Sequence, residues 1–282
     1  MFRANVLFGS LAAAAVFVFA SSHGAAADIV TMDSFSVTGP AGGNFFTDPF
    51  NLTGTLSGTA SSGVSTNTTP SNPVNYNVTG SFSESGGKAT LDTANGAFMA
   101  SPPPLDPLIQ QVSASFAGNF LRSGAMGATG IFDLSVPATL GAVYGIEFID
   151  LNLGHNGDVI GLRIAQTALG PRIELVNIDH FDGILTIVDS TVLDPSHDQI
   201  ELNLFKNSSS DAIGGAFAYL DGGILGALTT FGSMTDLAAD GARFMTPAFN
   251  AFAPVPEPST LALVFAGLFG LGFLSRRKHR SD

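Results

Sequence analysis

Apolar and polar residues alternate in short runs through the middle of this chain. Val74, Tyr76 and Val78 interleave with Asn75, Asn77 and Thr79. Ile146 and Phe148 flank Glu147, and Ile200, Leu202 and Leu204 interleave with Glu201 and Asn203. A period of two puts alternate side chains on opposite faces of an extended chain, so each run reads as a half-buried β-strand. Residues 159–164, 173–178, 184–188, 216–220 and 224–230 are further short apolar runs. Between the runs lie Ser85-Gly86-Gly87, Asp182-Gly183, Asp194-Pro195-Ser196-His197-Asp198 and Asp221-Gly222-Gly223, all turn sequences. Short strands punctuated in this way predict an all-β fold, an antiparallel β-sandwich (jelly-roll-like) or a barrel.

Some stretches depart from this rhythm. Ser101-Pro102-Pro103-Pro104-Leu105-Asp106-Pro107 reads as a loop, because proline lacks the N–H that a strand ladder needs. Residues 108–121 fit two patterns: Leu108, Val112 and Phe116 share a helical face, while Val112, Ala114 and Phe116 share a strand face. The strands on either side favour the second. Residues 236–245 read as one short helix, and residues 246–254 as a linker.

The two ends carry a different signal. Arg3 precedes an uncharged run over residues 6–20, and Ala25-Ala26-Ala27 follows, an Ala-x-Ala cleavage signature that places the cut before Asp28. The apolar run is short against the ~20 residues a membrane span requires. Near the other end, residues 261–274 are uninterrupted and apolar, and Arg276, Arg277, Lys278 and Arg280 come directly after. Basic residues abutting an apolar helix hold that end on the cytoplasmic side. Residues 258–274 as a helix would span roughly 25 Å at 1.5 Å per residue, a marginal fit to a ~30 Å hydrocarbon core. Pro256-Glu257-Pro258 stands just before this segment, and its prolines exclude regular helix there.

These features together resemble the PEP-CTERM sorting signal: the motif Pro256, Glu257, Pro258, a short transmembrane helix, and the basic stop Arg276, Arg277, Lys278, Arg280. The resemblance covers only the C-terminal tail. It implies recognition by exosortase, a membrane-embedded protease-transpeptidase of Gram-negative bacteria that make exopolysaccharide, with cleavage near the motif. The chain thus divides into a signal peptide (1–27, with Ala25, Ala27 and Asp28 at the cut), a β-sandwich extracellular domain (28–245), a linker (246–254) and a sorting segment (255–282). The expected partners are exosortase and the secretion machinery, the inner membrane in transit, and exopolysaccharide. The expected destination is the cell surface or extracellular matrix.

Charge and composition narrow the classes further. The 282 residues have a formal charge of −12, yet the body between the ends holds six basic and 21 acidic residues, a charge of −15. So acidic a surface repels nucleic-acid phosphates. The absence of cysteine excludes disulfides and cysteine-ligated metal centres. The body has 17 Phe and three Tyr but no Trp, which points to core filling more than to sugar-stacking platforms.

The chain lacks a Gly-x-Ser-x-Gly elbow, a His-Glu-x-x-His helix, a P-loop and a dinucleotide fingerprint, so no catalytic residue is assigned. Ser85-Gly86-Gly87-Lys88 matches Ser-x-x-Lys in letters only and reads as an exposed turn. His155, His180 and His197 each have a carboxylate nearby in sequence: Asp158, Asp179 or Asp182, and Asp198. Two acidic stretches offer oxygen ligands for a structural Ca²⁺. One holds Asp150, Asn152 and Asp158, but its glycine spacing is wrong and no glutamate closes it. The other holds Asn177, Asp179 and Asp182. No other cofactor is expected. The leading expectation is a non-enzymatic surface or matrix protein of the exopolysaccharide or biofilm layer. A Ca²⁺-assisted or carbohydrate-binding lectin-like module is the alternative. A hydrolase of extracellular polymer, with Asp179 and Asp182 as acid and base, is the third.

Overall fold

A computed structural model describes residues 28–39, 44–62, 64–65, 74–99, 109–117, 120–121, 124–152, 155–179, 184–206, 212–235 and 244–254. The predicted signal helix, the apolar segment 258–274 and residues 236–243 of the predicted short helix lie outside them. Among the described residues no helix is long and apolar enough to cross a membrane.

Six strands come first: β1 (Ile29–Thr38), β2 (Asn44–Asp48), β3 (Gly54–Ser62), β4 (Val64–Ser65), β5 (Val74–Ser85) and β6 (Lys88–Asp92). A 3₁₀ turn over Thr93–Asn95 follows, capped by the Asp92 carboxylate, which accepts the Ala94 N–H. Next are β7 (Ala97–Met99), β8 (Ile109–Phe116), β9 (Phe120–Leu121), β10 (Met126–Asp133), β11 (Val143–Asn152), β12 (His155–Thr167) and β13 (Gly170–Asp179). The last are β14 (Ile184–Val192), β15 (Gln199–Lys206), β16 (Ala212–Asp221), β17 (Ile224–Leu225), β18 (Thr229–Thr235) and β19 (Phe244–Pro254). The ambiguous stretch near residue 110 is a strand, with Val112 and Ala114 buried. The turn sequences at residues 85–87 and 221–223 stand between paired strands as expected, and Gly86, Gly87, Gly222 and Gly223 all take positive φ. Residues 194–198 pass from β14 to β15, and Asp182-Gly183 lies outside the described residues.

The strands form two antiparallel layers. One runs β3–β5–β8–β19–β11–β12–β13–β14. In the other, β1 pairs β10 on one side, and β10–β15–β16–β18 continues the layer. On its other side β1 pairs β6 along Ile29–Met32 and β2 along Phe35–Thr38. The layers are joined at a corner by β5. Its Tyr76–Thr79 half pairs β8, and its Phe82–Ser85 half pairs β6. Gly80 (φ +73) sits at the bend, opposite a register shift in β3 between Ser57 and Gly58. Such an irregularity lets one strand pass from one layer to the next. A Cβ at Gly80 would lie 2.9 Å from the Gln111 carbonyl oxygen, so the corner admits only glycine.

The core lies between the layers. Facing strands approach closely where glycine replaces a side chain. A Cβ on Gly130 of β10 would come within 2.7 Å of Ile146 Cγ2 and Met32 Cε, and one on Gly215 of β16 within 3.2 Å of Leu175. Aromatic rings fill the end near the corner. Phe249 is their hub, with its centroid 5.2 Å from Phe35, 5.7 Å from Phe50, 5.6 Å from Tyr76 and 5.5 Å from Phe82, all in edge-on geometry. Phe50 is held at φ +49, a region β-carbons avoid, and its N–H is tied to Asp48 Oδ1 at 3.0 Å.

Phe249 corrects the sequence reading. Residues 246–254 are not a linker. They are most of β19, a strand hydrogen bonded to β8 on one edge and β11 on the other. Phe244 and Met245 are also strand, so the predicted helix does not extend over them. Proline and alanine disguised the strand: Pro247, Ala248, Ala251, Ala253 and Pro254 depress its β-propensity, while Phe249 and its neighbours bury it. The body accordingly forms one compact unit over Ala27–Pro254. Phe249→Ala is expected to cost about 3–5 kcal/mol of stability, the usual range for truncating a buried ring, read as a lower urea midpoint of the protein. An unchanged midpoint would remove Phe249 from the centre of the core.

Candidate functional site

The outer face of the β19–β13 region carries the most unusual side chains of the body. In β11, Tyr144, Ile146 and Phe148 point into the core, so Gly145 and Glu147 point outward. Glu147 stands opposite Ala248 of β19 and Gly161 of β12. Asn250 Nδ2, one pleat along β19, donates to Glu147 Oε2. Next to them Arg163 of β12 faces Glu174 of β13, and its Nε and Nη2 donate to Glu174 Oε2 at 3.1 and 3.0 Å. Glu147, Glu174 and Asn250 are buried. Gly145 creates the room. A Cβ there would strike the Leu162 carbonyl oxygen and lie 2.7 Å from Arg163 Cα.

Burial sets the electrostatics of this row. Desolvation pushes the Glu147 carboxyl up to about 7, against the Asn250 hydrogen bond and the attraction of Arg163. Desolvation also pulls the Arg163 guanidinium down, opposed by Glu174. Glu147 can therefore exchange a proton near neutrality, while Glu174 is engaged by the arginine.

A second cluster lies on the outer face of the other layer. β1 bulges between Met32 and Ser34, which turns Asp33 outward beside its neighbours. Lys88 Nζ bridges Asp33 (3.0 Å) and Asp133, Thr31 Oγ1 donates to Asp133 (2.6 Å), and Gln199 Nε2 donates to both carboxylates. Partial burial works against it, but hydrogen bonds from Lys88, Thr31 and Gln199 hold the Asp133 carboxyl below the usual range.

The sequence-derived candidates fare differently. His197 Nδ1 bonds Asp221 Oδ2 at 2.7 Å, and the ring stacks on Tyr219 at 4.2 Å and 16°. Its partner is not Asp198, whose carboxylate accepts the Gly222 N–H instead. In the run 150–158, Asp150 and Asn152 end β11 and His155, Asn156 and Asp158 lie in the first part of β12, with Asn152 opposite His155. Asp179 ends β13 opposite Ile184, whereas His180 and Asp182 lie outside the described residues. Among the described residues no three His, Asp or Glu side chains gather as a metal group. Sequence reasoning missed the Glu147 row and the Lys88 cluster altogether. Neither has a local motif, since Asp33 and Gln199 are 166 residues apart.

Glu147 gives a pH signature. Its pKa is raised in the fold, so the folded state holds a proton that the unfolded chain releases at lower pH. Stability falls as pH rises from about 4.5 to 7 and stays low above. Glu147→Gln keeps an acceptor for Asn250 and removes the ionisation. It is expected to raise the melting temperature at pH 8, by the equivalent of about 3 kcal/mol at most, and to leave it unchanged at pH 4. Equal effects at both pH values would rule out the buried carboxyl as the cause.

The PEP-CTERM protein-sorting motif matches residues 254–278. No curated protein matches the chain. Among solved structures, a seed lectin isoform of Lotus tetragonolobus is similar at 12% identity and a TM-score of 0.36, over 58% of this chain and 82% of that one. The lectin UEA-II, solved in complex with galactose, is similar at 10% identity and a TM-score of 0.37, over 72% of this chain and 91% of that one. The match at residues 254–278 begins on Pro254, the last residue of β19, so the chain carries a PEP-CTERM sorting signal joined directly to the closing strand of its β-sandwich.

Proposed function

We propose that this protein is exported, held at the inner membrane by its C-terminal segment, cut by an exosortase near Pro256, and left at the cell surface or in the exopolysaccharide matrix as a non-enzymatic structural module. The sorting motif at residues 254–278 carries this reading. The place where β19 ends supports it, because a cut beyond Pro254 removes no strand from the body. The non-enzymatic part draws on how the polar groups are used. Arg163 is spent on Glu174, Lys88 on two aspartates, and His197 on Asp221. Each bond fixes one element to another and leaves no nucleophile–base pair among these groups.

Intact-mass measurement of the surface form tests the reading. Loss of residues 1–27 and of the segment beyond about Pro256 is expected, and loss of the C-terminal cut in a host lacking exosortase. A mature protein that retains Arg276 to Arg280 would defeat it. The body is taken to need no metal, so EDTA is expected to leave its melting temperature unchanged. A drop on EDTA that Ca²⁺ reverses would restore the Ca²⁺-assisted alternative.

A further inference from the structure

Asp28 is fastened to the fold at three atoms. Its N–H donates to Thr93 Oγ1 (3.0 Å), its carbonyl accepts the Thr93 N–H (3.1 Å), and its Oδ1 accepts the Ala138 N–H (2.6 Å). The residue is 8% exposed, and its other carboxylate oxygen, Oδ2, is buried without a hydrogen-bond partner. A buried acceptor with no donor is costly and rare. The sequence places a cleavage signature, Ala25-Ala26-Ala27, directly before this residue.

We propose that removal of residues 1–27 completes this site: the freed α-ammonium of Asp28 becomes a buried structural cation that locks the start of β1 to the Thr93 turn and to the 134–142 segment. The inference rests on reading residues 1–27 as a cleaved signal peptide. In the cleavage, water adds across the bond between Ala27 and Asp28. Residue 27 leaves with a carboxylate, and the Asp28 nitrogen, taking up the remaining proton, becomes an ammonium. Before the cut this nitrogen is an amide with one proton, already given to Thr93 Oγ1. Afterwards it has three protons and a positive charge. One proton keeps the Thr93 bond, and the charge stands within one residue of the unpartnered Oδ2. Charge-assisted bonds of this kind are about twice as strong as neutral ones. The exported form is thus held more firmly at its first residue than the precursor.

The surroundings suit a cation. The titratable group facing this nitrogen from its own residue is the Asp28 carboxyl. The adjoining turn brings Asp92, whose carboxylate is engaged by the Ala94 N–H and Asn95 Nδ2. The 134–142 segment brings no charged residue.

The test compares the full chain, exported in a Gram-negative host, with a variant carrying Gly-Ser inserted between residues 27 and 28. Intact mass fixes the N-terminus of each. α-Amine acetylation of the mature protein supplies the same comparison without the insertion. The protein beginning at Asp28 is expected to melt about 2–4 °C or more above the extended and acetylated forms at pH 7. A paired ammonium has its pKa raised above the ordinary α-amino value of about 7.7–8.0. Its contribution is therefore complete below that value, and the gap should close as pH rises through the higher, folded value. A mature N-terminus other than Asp28 overturns the cleavage reading. A protein that begins at Asp28 yet melts with its extended and acetylated forms overturns the lock and leaves the cleavage standing.

Discussion

Everything in this sandwich depends on β19 filling the space between β8 and β11. Without it the first layer is two separate pieces, one from the first half of the chain and one from the second. The strand supplies both edges of that seam with backbone hydrogen bonds, and it supplies Phe249 to the rings of Phe35, Phe50, Tyr76 and Phe82. Those rings come from β1, the turn after β2, and β5, so a single side chain ties both layers and their corner together. Hydrogen bonding fixes the register and ring packing fixes the depth of insertion, and each reinforces the other.

A shortage of cations shapes the rest. Six basic residues cannot neutralise 21 acidic ones, so most ion pairing is unavailable. Several of the described carboxylates turn to backbone N–H groups. Asp48 accepts from Phe50, Asp92 from Ala94, Asp189 from Ser190 and Gly232, Asp194 from Ser196, and Asp198 from Gly222. Short acidic side chains are well made for this: Asp48, Asp92 and Asp194 reach the backbone two residues on and stabilise turns, while Asp189 and Asp198 also reach Gly232 and Gly222 on distant segments. The negative charge of the body thus also shapes its turns. Lys88 serves two carboxylates, Asp33 and Asp133, and Arg163 serves Glu174.

The period-two runs made the all-β class and most hairpins legible. Ile200, Leu202 and Leu204 are buried as their alternation predicts, and the glycine pairs at residues 86–87 and 222–223 turn the chain where expected. The sorting tail was legible because its order of motif, apolar run and basic cluster is carried by neighbouring residues. β19 was not. A strand buried on both edges need not look like one when alanine and proline occupy half of it, since its place is decided by distant partners. The polar clusters were hidden for the same reason. The bulge that turns Asp33 outward shifts the face of β1 by one residue, and only the pairing with β10 reveals it. Glu147 looked like the ordinary polar member of an alternating strand. Its unusual proton affinity arises from burial, a property of the folded face.

The position of β19 also governs the order in which the sandwich can close. The partner strands β8 and β11 are made first and must wait, with a vacant slot between them, for the stretch of chain that adjoins the sorting signal. The sandwich closes only when that stretch has emerged. A chain halted before residue 254 presents an unfilled seam with bare strand edges. Such edges invite proteolysis or pairing with other chains.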